Sequence, residues 1–276
     1  MSVIVHMSDI HFGAHKEELA ESLLTDVAAQ EPDLVVVSGD LTQRARPKQF
    51  EQARAFLDRL PWPVLTVVGN HDLPLVNLPR RFLSQNRRYE HYITPDLDPV
   101  VALPGLVAVG LDTMPAWRWK AGHVSPRQAD IVRDAFGNAR ADTWRILVTH
   151  HPVLPEDLSG LVGRRLLVDT CDEAGVAVLL SGHTHVASAT IAPLGEPGRH
   201  SALAVVSGTT ISRRTRGNRN SYGVLHLAGP MEVGAGLTLE LRQAEGMDWS
   251  VGLNARFEYT PNGVIAFGAA GGLSPE

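Results

Sequence analysis

Five short polar clusters carry the residue types that could do chemistry in this chain: Asp9-Ile10-His11, Gly39-Asp40, Gly69-Asn70-His71-Asp72, His150-His151-Pro152 and Gly182-His183-Thr184-His185. Together they offer two aspartates, one asparagine and four histidines as metal donors: Asp9, Asp40, Asn70, His11, His150, His183 and His185. No cysteine is among them, which argues against a structural thiolate zinc site. Mixed imidazole and carboxylate donors suit manganese, iron or zinc. Seven donors exceed one tetrahedral site and match two ions that share a carboxylate. Two metals ~3.5–4 Å apart form a clamp for in-line displacement at phosphorus and acidify a bridging water. Asp9 with His11, and His183 with His185, are spaced two apart, so extended backbone turns each pair to one side.

Each cluster follows an apolar run with strand character. The runs are Val3–Val5, Asp33–Val37, Val64–Val68, Trp144–Val148 and Val176–Leu180, with a further one at Leu106–Leu111. Helical patterns lie between them. Leu19, Leu23, Leu24 and Val27 share one helical face, and a second stripe is Phe50, Ala53, Leu57 and Leu60, behind Pro47 at a first-turn position. Ser125-Pro126-Arg127-Gln128 is a capping box that opens a third helix. The alternation is that of βαβ units, and parallel strands gather such clusters at their carboxyl ends. Beyond Ala187 the pattern turns to short strands joined by Gly/Pro-rich turns, which completes two packed sheets with helices outside. The expected fold class is α/β, a four-layer α/β/β/α sandwich of two mixed sheets. A single domain over residues 1–276 is expected. The stretch 73–98, with Pro74, Pro79 and Pro95 and the basic group Arg80, Arg81, Arg87 and Arg88, reads as a cap or insertion.

The 276 residues are 44 % hydrophobic and 20 % charged, which excludes a disordered or fibrous chain. A net charge of −5 gives no global field toward nucleic acid or anionic membrane. The one cysteine, Cys171, excludes an internal disulfide framework and suits a reducing compartment. No membrane span and no signal peptide are legible, so a cytoplasmic location is expected.

The ordered series of clusters resembles the calcineurin-like metallophosphoesterase superfamily, and within it the bacterial class III cyclic-nucleotide phosphodiesterase branch. Ser38-Gly39-Asp40-Leu41-Thr42, Gly110-Leu111-Asp112-Thr113 and Gly122-His123-Val124-Ser125 add to the likeness, which runs from Val3 to about Tyr222. The resemblance implies that Asp9, His11 and His185 hold a first metal, that Asn70, His150 and His183 hold a second, and that Asp40 bridges them. It implies metal-bound hydroxide as nucleophile, His71 at the scissile phosphate, and Asp72 orienting His71. His151 reads as loop packing, Asp112 as a structural turn, and Cys171 and His6 as buried residues.

The clusters specify phosphoester cleavage and leave the substrate open. Arg213, Arg214 and Arg216, in the loop after the run ending at Val206, are candidates for holding an anionic group. The segment Leu73–Tyr92 could shape a lid or a lipid-facing surface, with Leu75, Val76, Leu78, Phe82 and Leu83 among its residues. Trp117 and Trp119, on either side of Arg118, are loop anchors or stacking residues. The reading favoured is a dinuclear phosphodiesterase for small diesters of cyclic-nucleotide or glycerophosphodiester type, with no nucleic-acid polymer as partner. The alternatives are a UDP-diacylglucosamine-type lipid pyrophosphatase, a repair nuclease and a non-catalytic scaffold of the same fold. The sequence leaves the oligomeric state open, and the Gly-rich C-terminal strands could pair across a homodimer.

Overall fold

The computed structural model describes residues 1–74, 84–115, 117, 121–154, 160–195 and 200–267. Among these, twelve of the thirteen strands follow one hydrogen-bonded path, and β8 is attached at the side through β9. β1 (Ser2–Met7), β2 (Leu34–Val37) and β3 (Val64–Thr66) run parallel. On the other edge of β1 lie the antiparallel β10 (Ser221–Leu227), β11 (Gly236–Glu245), β12 (Asp248–Thr260) and β13 (Gly263–Ala266). A second group joins β5 (Leu106–Leu111), β6 (Trp144–Thr149), β7 (Val178–Ser181) and β9 (His200–Val206) in parallel. β4 (Val100–Leu103) and β8 (Ser188–Leu194) flank that group antiparallel. The groups touch through a single register pair, Gly263 with Ser201. They are therefore two sheets joined at one corner.

Three apolar clusters define the layers. Ile4, Leu34, Val36 and Leu225 of the first sheet pack against Ala108, Ile146, Val148 and Leu203 of the second, forming the inner core. The outer face of the first sheet is covered by α1 (Glu17–Ala29) and α2 (Pro47–Leu57), through Leu19, Leu23, Val27, Phe50 and Ala53. The outer face of the second is covered by α4 (Pro126–Gly137) and α5 (Arg164–Glu173), through Val132, Phe136, Leu167 and Cys171. This is the four-layer α/β/β/α sandwich. The capping box forms as its sequence dictates: Ser125 Oγ accepts from Gln128 N at 3.3 Å, and Ser125 N donates to Gln128 Oε1 at 3.0 Å.

The segment 73–98 is described only in part, and Leu75, Val76, Leu78, Arg80, Arg81, Phe82 and Leu83 lie outside the described residues. Its second half contains α3 (Arg87–Tyr92), which packs beside α2. Tyr89 is fully buried and donates its hydroxyl to Thr66 Oγ1 at 2.7 Å, while Tyr92 stacks on Phe50. This half therefore extends the outer layer of the first sheet. Arg118 and Trp119 also lie outside the described residues, and Trp117 is exposed beside His123. No described helix is long and apolar enough to cross a membrane.

Candidate metal centre

Every cluster lies just beyond the carboxyl end of a parallel strand, where the two sheets meet. Asp9 and His11 follow β1, Asp40 follows β2, and Asn70 to Asp72 follow β3. His150 follows β6, and His183 and His185 follow β7. The two halves are stitched directly: His183 N donates to Asp9 Oδ2 at 3.0 Å, and His150 Nδ1 contacts the Ser38 carbonyl at 2.8 Å.

The pairs two apart do not converge through strand alternation. Asp9 and His11 have φ of 51° each, Asp40 53°, His183 71° and His185 65°. Five of the seven donors thus sit in the left-handed region, which non-glycine residues adopt at a cost and which concentrates at functional sites. The strands end at Met7 and Ser181, and tight left-handed turns then aim both members of each pair inward. Two glycines make room for these turns. A Cβ on Gly69 would lie 2.1 Å from Asp40 N, and one on Gly182 would lie 1.8 Å from Ser8 Oγ.

Ligand atoms of Asp9, His11, Asp40 and His185 lie within 4.8 Å of one another, all buried. Asp9 Oδ2 accepts from Ser8 Oγ at 2.7 Å as well as from His183 N, which leaves Oδ1 for another partner. Asp9 Oδ1 and His11 Nε2 are buried with no hydrogen-bond partner. His185 Nε2 lies 3.5 Å from Asp9 Oδ1, and its other nitrogen is held by Thr209 Oγ1 at 2.7 Å. In the adjoining group, Asn70 Oδ1 meets His150 Nε2 at 3.1 Å and His183 Nδ1 at 3.0 Å. Asp40 stands between the groups, with Oδ2 3.7 Å from His11 Nε2 and Oδ1 3.6 Å from His150 Nε2.

Electrostatics fit the same occupant. Burial pushes His11, His150 and His185 below the usual imidazole range, so they are neutral, as metal ligation requires. Burial, then the neighbouring Asp9 and Asp72, push Asp40 well above the usual carboxylate range. Burial opposes ionisation of Asp9 too, but His185, His150, the Ser8 hydroxyl and His183 together hold its pKa below the usual value. Two buried carboxylates with orphaned neighbouring donors call for cationic charge between them. The donor set fits two divalent metal ions.

His71 is beside this centre. Its Nδ1 contacts the Gln43 carbonyl at 2.9 Å and its backbone N donates to Asp40 Oδ1 at 2.8 Å. Arg214 Nη1 lies 2.9 Å from its Nε2. Asp72 differs from the role the resemblance implies. Its carboxylate takes Thr42 N at 2.7 Å, Thr42 Oγ1 at 3.0 Å, Gly69 N at 3.0 Å and Leu41 N at 3.2 Å, and makes no hydrogen bond with the His71 ring. Asp72 ties the loop of Asp40 to the loop of Asn70, and the Gln43 carbonyl orients His71 instead. Of the three loop arginines, only Arg214 touches the cluster. Arg216 is exposed in the same loop, and Arg213 is anchored through its backbone N to the Ala14 carbonyl at 3.0 Å.

Other histidines and acids fall around the centre. His151 is buried, with Nδ1 2.7 Å from Thr113 Oγ1 and its ring against His183. His6 is buried, with Nε2 2.9 Å from Ser38 Oγ. Asp112 closes a turn by accepting Met114 N at 2.8 Å. Thr209 and Gln43 contact His185 and His71 of the candidate centre, and the motif reading missed both. Thr209 had a signal: Ser207-Gly208-Thr209-Thr210 is one more polar cluster after a parallel strand. Gln43 acts through its carbonyl and carries no side-chain signal.

A family model of calcineurin-like phosphoesterases matches residues 2–187. The chain belongs to this family. Among curated relatives, a probable cyclic nucleotide phosphodiesterase from Rhodococcus erythropolis is 30 % identical over 202 residues, 66 % of this chain and 64 % of that protein. Another from Synechococcus is 28 % identical over 175 residues, 61 % of this chain and 64 % of that protein. The matches thus span under two thirds of these relatives' own length. A glycerophosphodiester phosphodiesterase from Enterobacter lignolyticus is 36 % identical over 81 residues, 25 % of this chain and 29 % of that protein. Among solved structures, a purple acid phosphatase from yellow lupin superposes with a TM-score of 0.65 at 13 % identity, covering 92 % of this chain and 53 % of that one. A dimetal phosphatase from Danio rerio gives 0.63 at 14 % identity, covering 88 % and 96 %. These two likenesses show the shared calcineurin-like phosphoesterase fold.

Proposed function

We propose that this chain is a dinuclear-metal phosphodiesterase acting on small diesters of the cyclic-nucleotide or glycerophosphodiester type. The observation that carries the reading is Asp40, whose two oxygens face His11 on one side and His150 on the other. The names of the curated relatives support the diester class. Asp9, His11 and His185 would hold one ion, Asn70, His150 and His183 the other, with Asp40 shared. Such ions supply Lewis acidity toward phosphoryl oxygens and lower the pKa of water toward neutrality.

The chain's own residues do the rest. Thr209 and the Ser38 carbonyl fix the ring orientations of His185 and His150, so that Nε2 of each faces the centre. The Gln43 carbonyl holds the Nδ1 side of His71, which leaves Nε2 as the atom that meets the phosphoryl group or carries a proton to the leaving oxygen. Arg214 Nη1 lies 2.9 Å from Nε2, so contact between substrate and Nε2 requires this guanidinium to move aside. Burial pulls the His71 pKa down to about 4, with Arg214 adding to the effect, so the free imidazole is neutral with its proton on Nδ1, and Nε2 has a proton to give only after an anionic phosphoryl group beside it favours the imidazolium. The reading includes a cytoplasmic location, in keeping with the lone buried Cys171. Both edges of β11 and β12 are paired within the chain, so a homodimer could not form by edge pairing of these two strands.

The test is hydrolysis by the Mn²⁺-loaded protein of a generic aryl diester, its monoester, 3′,5′-cyclic AMP, 2′,3′-cyclic AMP, a glycerophosphodiester and UDP-diacylglucosamine. Preference for a small diester is expected. Activity confined to the UDP-lipid or to the monoester overturns the reading.

A further inference from the structure

We propose that the gap between the two sheets beside the metal centre is a binding site for a neutral, flat heterocycle of purine size. The site stands apart from the metal donors and does not depend on the diesterase reading.

The inner core fills the space between the sheets except at one end. There, between β8 and β9 on one side and β10 to β12 on the other, lies a cavity of about 190 Å³. Its floor is apolar, formed by Val205, Leu239, Leu241 and Leu253. Its wall toward the metal centre is Val186 and Ala187, which follow His185 in the chain. A cavity of about 150 Å³ holds benzene. This one has room for a fused pair of rings and not for an entire nucleotide.

Gly223 opens the gap. A glycine inside a strand weakens the sheet, and it marks a bulge, a bend, or the close approach of a backbone or a ligand. The register of β10 is unbroken on both edges, with Gly223 opposite His6 of β1 and opposite Leu241 of β11, so no bulge calls for the glycine. A Cβ on Gly223 would find nothing nearer than Leu239 Cδ1 at 3.5 Å, so no neighbouring backbone calls for it either. On the side of the second sheet, the small side chains of Ala187 and Ala189 leave the same space free.

The polar groups in the gap define what fills it. The β10–β11 register sets Ser221 opposite Gln243, and both line the cavity. Ser221 is 2 % exposed, and its Oγ lies toward Gly208, where a Cβ would be 2.5 Å away. The Gln243 side chain lies over Gly252, where a Cβ would meet its Cδ at 2.7 Å. Among the described residues, neither the Ser221 hydroxyl nor the Gln243 amide has a hydrogen-bond partner. A carboxamide presents a donor and an acceptor side by side, the pattern that pairs with the N6–N7 edge of adenine. An acyl chain would cover the floor and leave both polar groups unpaired, which costs affinity. Arg219 is the charged residue of the lining, and Glu245 matches it at 2.6 Å, so the site offers no net charge to an anion. A neutral purine meets all three conditions: ring size, paired edge and absence of charge.

The test is calorimetric binding of adenine to the Mn²⁺-loaded protein, with indole as a fused ring system that lacks the paired donor and acceptor. Adenine should bind about tenfold more tightly than indole, the margin that two neutral hydrogen bonds confer. Gln243→Leu keeps the apolar contact and should remove that margin. Gly223→Val suits a strand and fills the gap, so it should abolish binding of both rings while the Mn²⁺ content stays unchanged. Gly223→Ala, whose Cβ makes only ordinary contact, should weaken binding in part and serves if the Val variant does not fold. No binding of adenine by the folded wild-type protein overturns the proposal. Equal affinity for the two rings overturns the hydrogen-bonding assignment. Adenine binding that survives Gly223→Val and requires Mn²⁺ places the ring on the metals and overturns the site. Tighter binding of 5′-AMP than of adenine, lost in Gly223→Val, overturns the choice of a neutral ligand.

Discussion

Thr209→Val should weaken metal binding at the group formed by Asp9, His11 and His185 while leaving the fold intact. Thr209 is fully buried, and its hydroxyl lies 2.7 Å from His185 Nδ1 and donates to the Arg214 carbonyl at 3.0 Å. With its proton spent on that carbonyl, the oxygen accepts from the imidazole, which fixes the Nδ1–H tautomer and turns the Nε2 lone pair toward Asp9 Oδ1, 3.5 Å away. Valine has nearly the same shape and no acceptor. In the metal-free variant His185 can move its proton to Nε2, facing the Asp9 carboxylate. Metal binding forces the proton back to Nδ1, which has lost its hydroxyl acceptor. Leaving a buried donor unsatisfied costs about 1–3 kcal/mol. That agrees with the roughly ten- to hundredfold loss of metal affinity typical when the partner of a metal-bound histidine is removed. The assay is chelator competition for Mn²⁺ or Zn²⁺, beside thermal unfolding of the metal-free protein. Thr209→Ser should restore affinity. An affinity indistinguishable from wild type, in a folded Val variant, would refute the argument that this hydroxyl sets the tautomer.

Four further outcomes follow from the same geometry. Gly182→Ala should abolish stoichiometric metal binding, because the new Cβ would fall 1.8 Å from Ser8 Oγ and 2.7 Å from Asp9 Oδ2; elemental analysis of the folded variant checks it. Asn70→Ala should lose the ion held with His150 and His183 and nearly all turnover, read as metals retained per chain after desalting. His71→Ala should keep both ions and slow diester cleavage by about 10²–10⁴-fold; loss of metal from this variant would contradict its role. Asp112 has its pKa raised to about 7, chiefly by burial, so the folded state holds a proton that the unfolded state has lost. Stability should therefore fall as pH rises from about 4 through 7, by on the order of 4 kcal/mol, and Asp112→Asn should flatten that fall in denaturant titrations of metal-free protein.

The centre was legible because each donor cluster stands after an apolar run. Residue type and strand order carry that information together, and the capped helix at Ser125 and the stripes of α1 and α2 were equally direct. How the donors converge was not legible. The spacing of Asp9 with His11 suggested strand alternation, but the strand ends at Met7 and a left-handed turn takes over, a backbone choice fixed by contacts such as Gly182 against Ser8 across the two sheets. The role of Asp72 depends on where the Leu41–Thr42 backbone lies, thirty residues earlier, and no local pattern encodes that distance. β12 was readable in principle from the alternation of Trp249, Val251, Leu253, Ala255, Phe257 and Tyr259. Its pairing with β11 and β13, which carries the chain to the β9 corner, is a long-range outcome.

The central claim is that Asp40 joins two metal sites into one phosphodiesterase centre. The most direct test is to titrate metal-free protein with Mn²⁺ and follow hydrolysis of an aryl phosphodiester. The account predicts activity that saturates at two equivalents per chain, with the diester cleaved faster than its monoester. Saturation at one equivalent, or two tightly bound equivalents without diester cleavage, would contradict it.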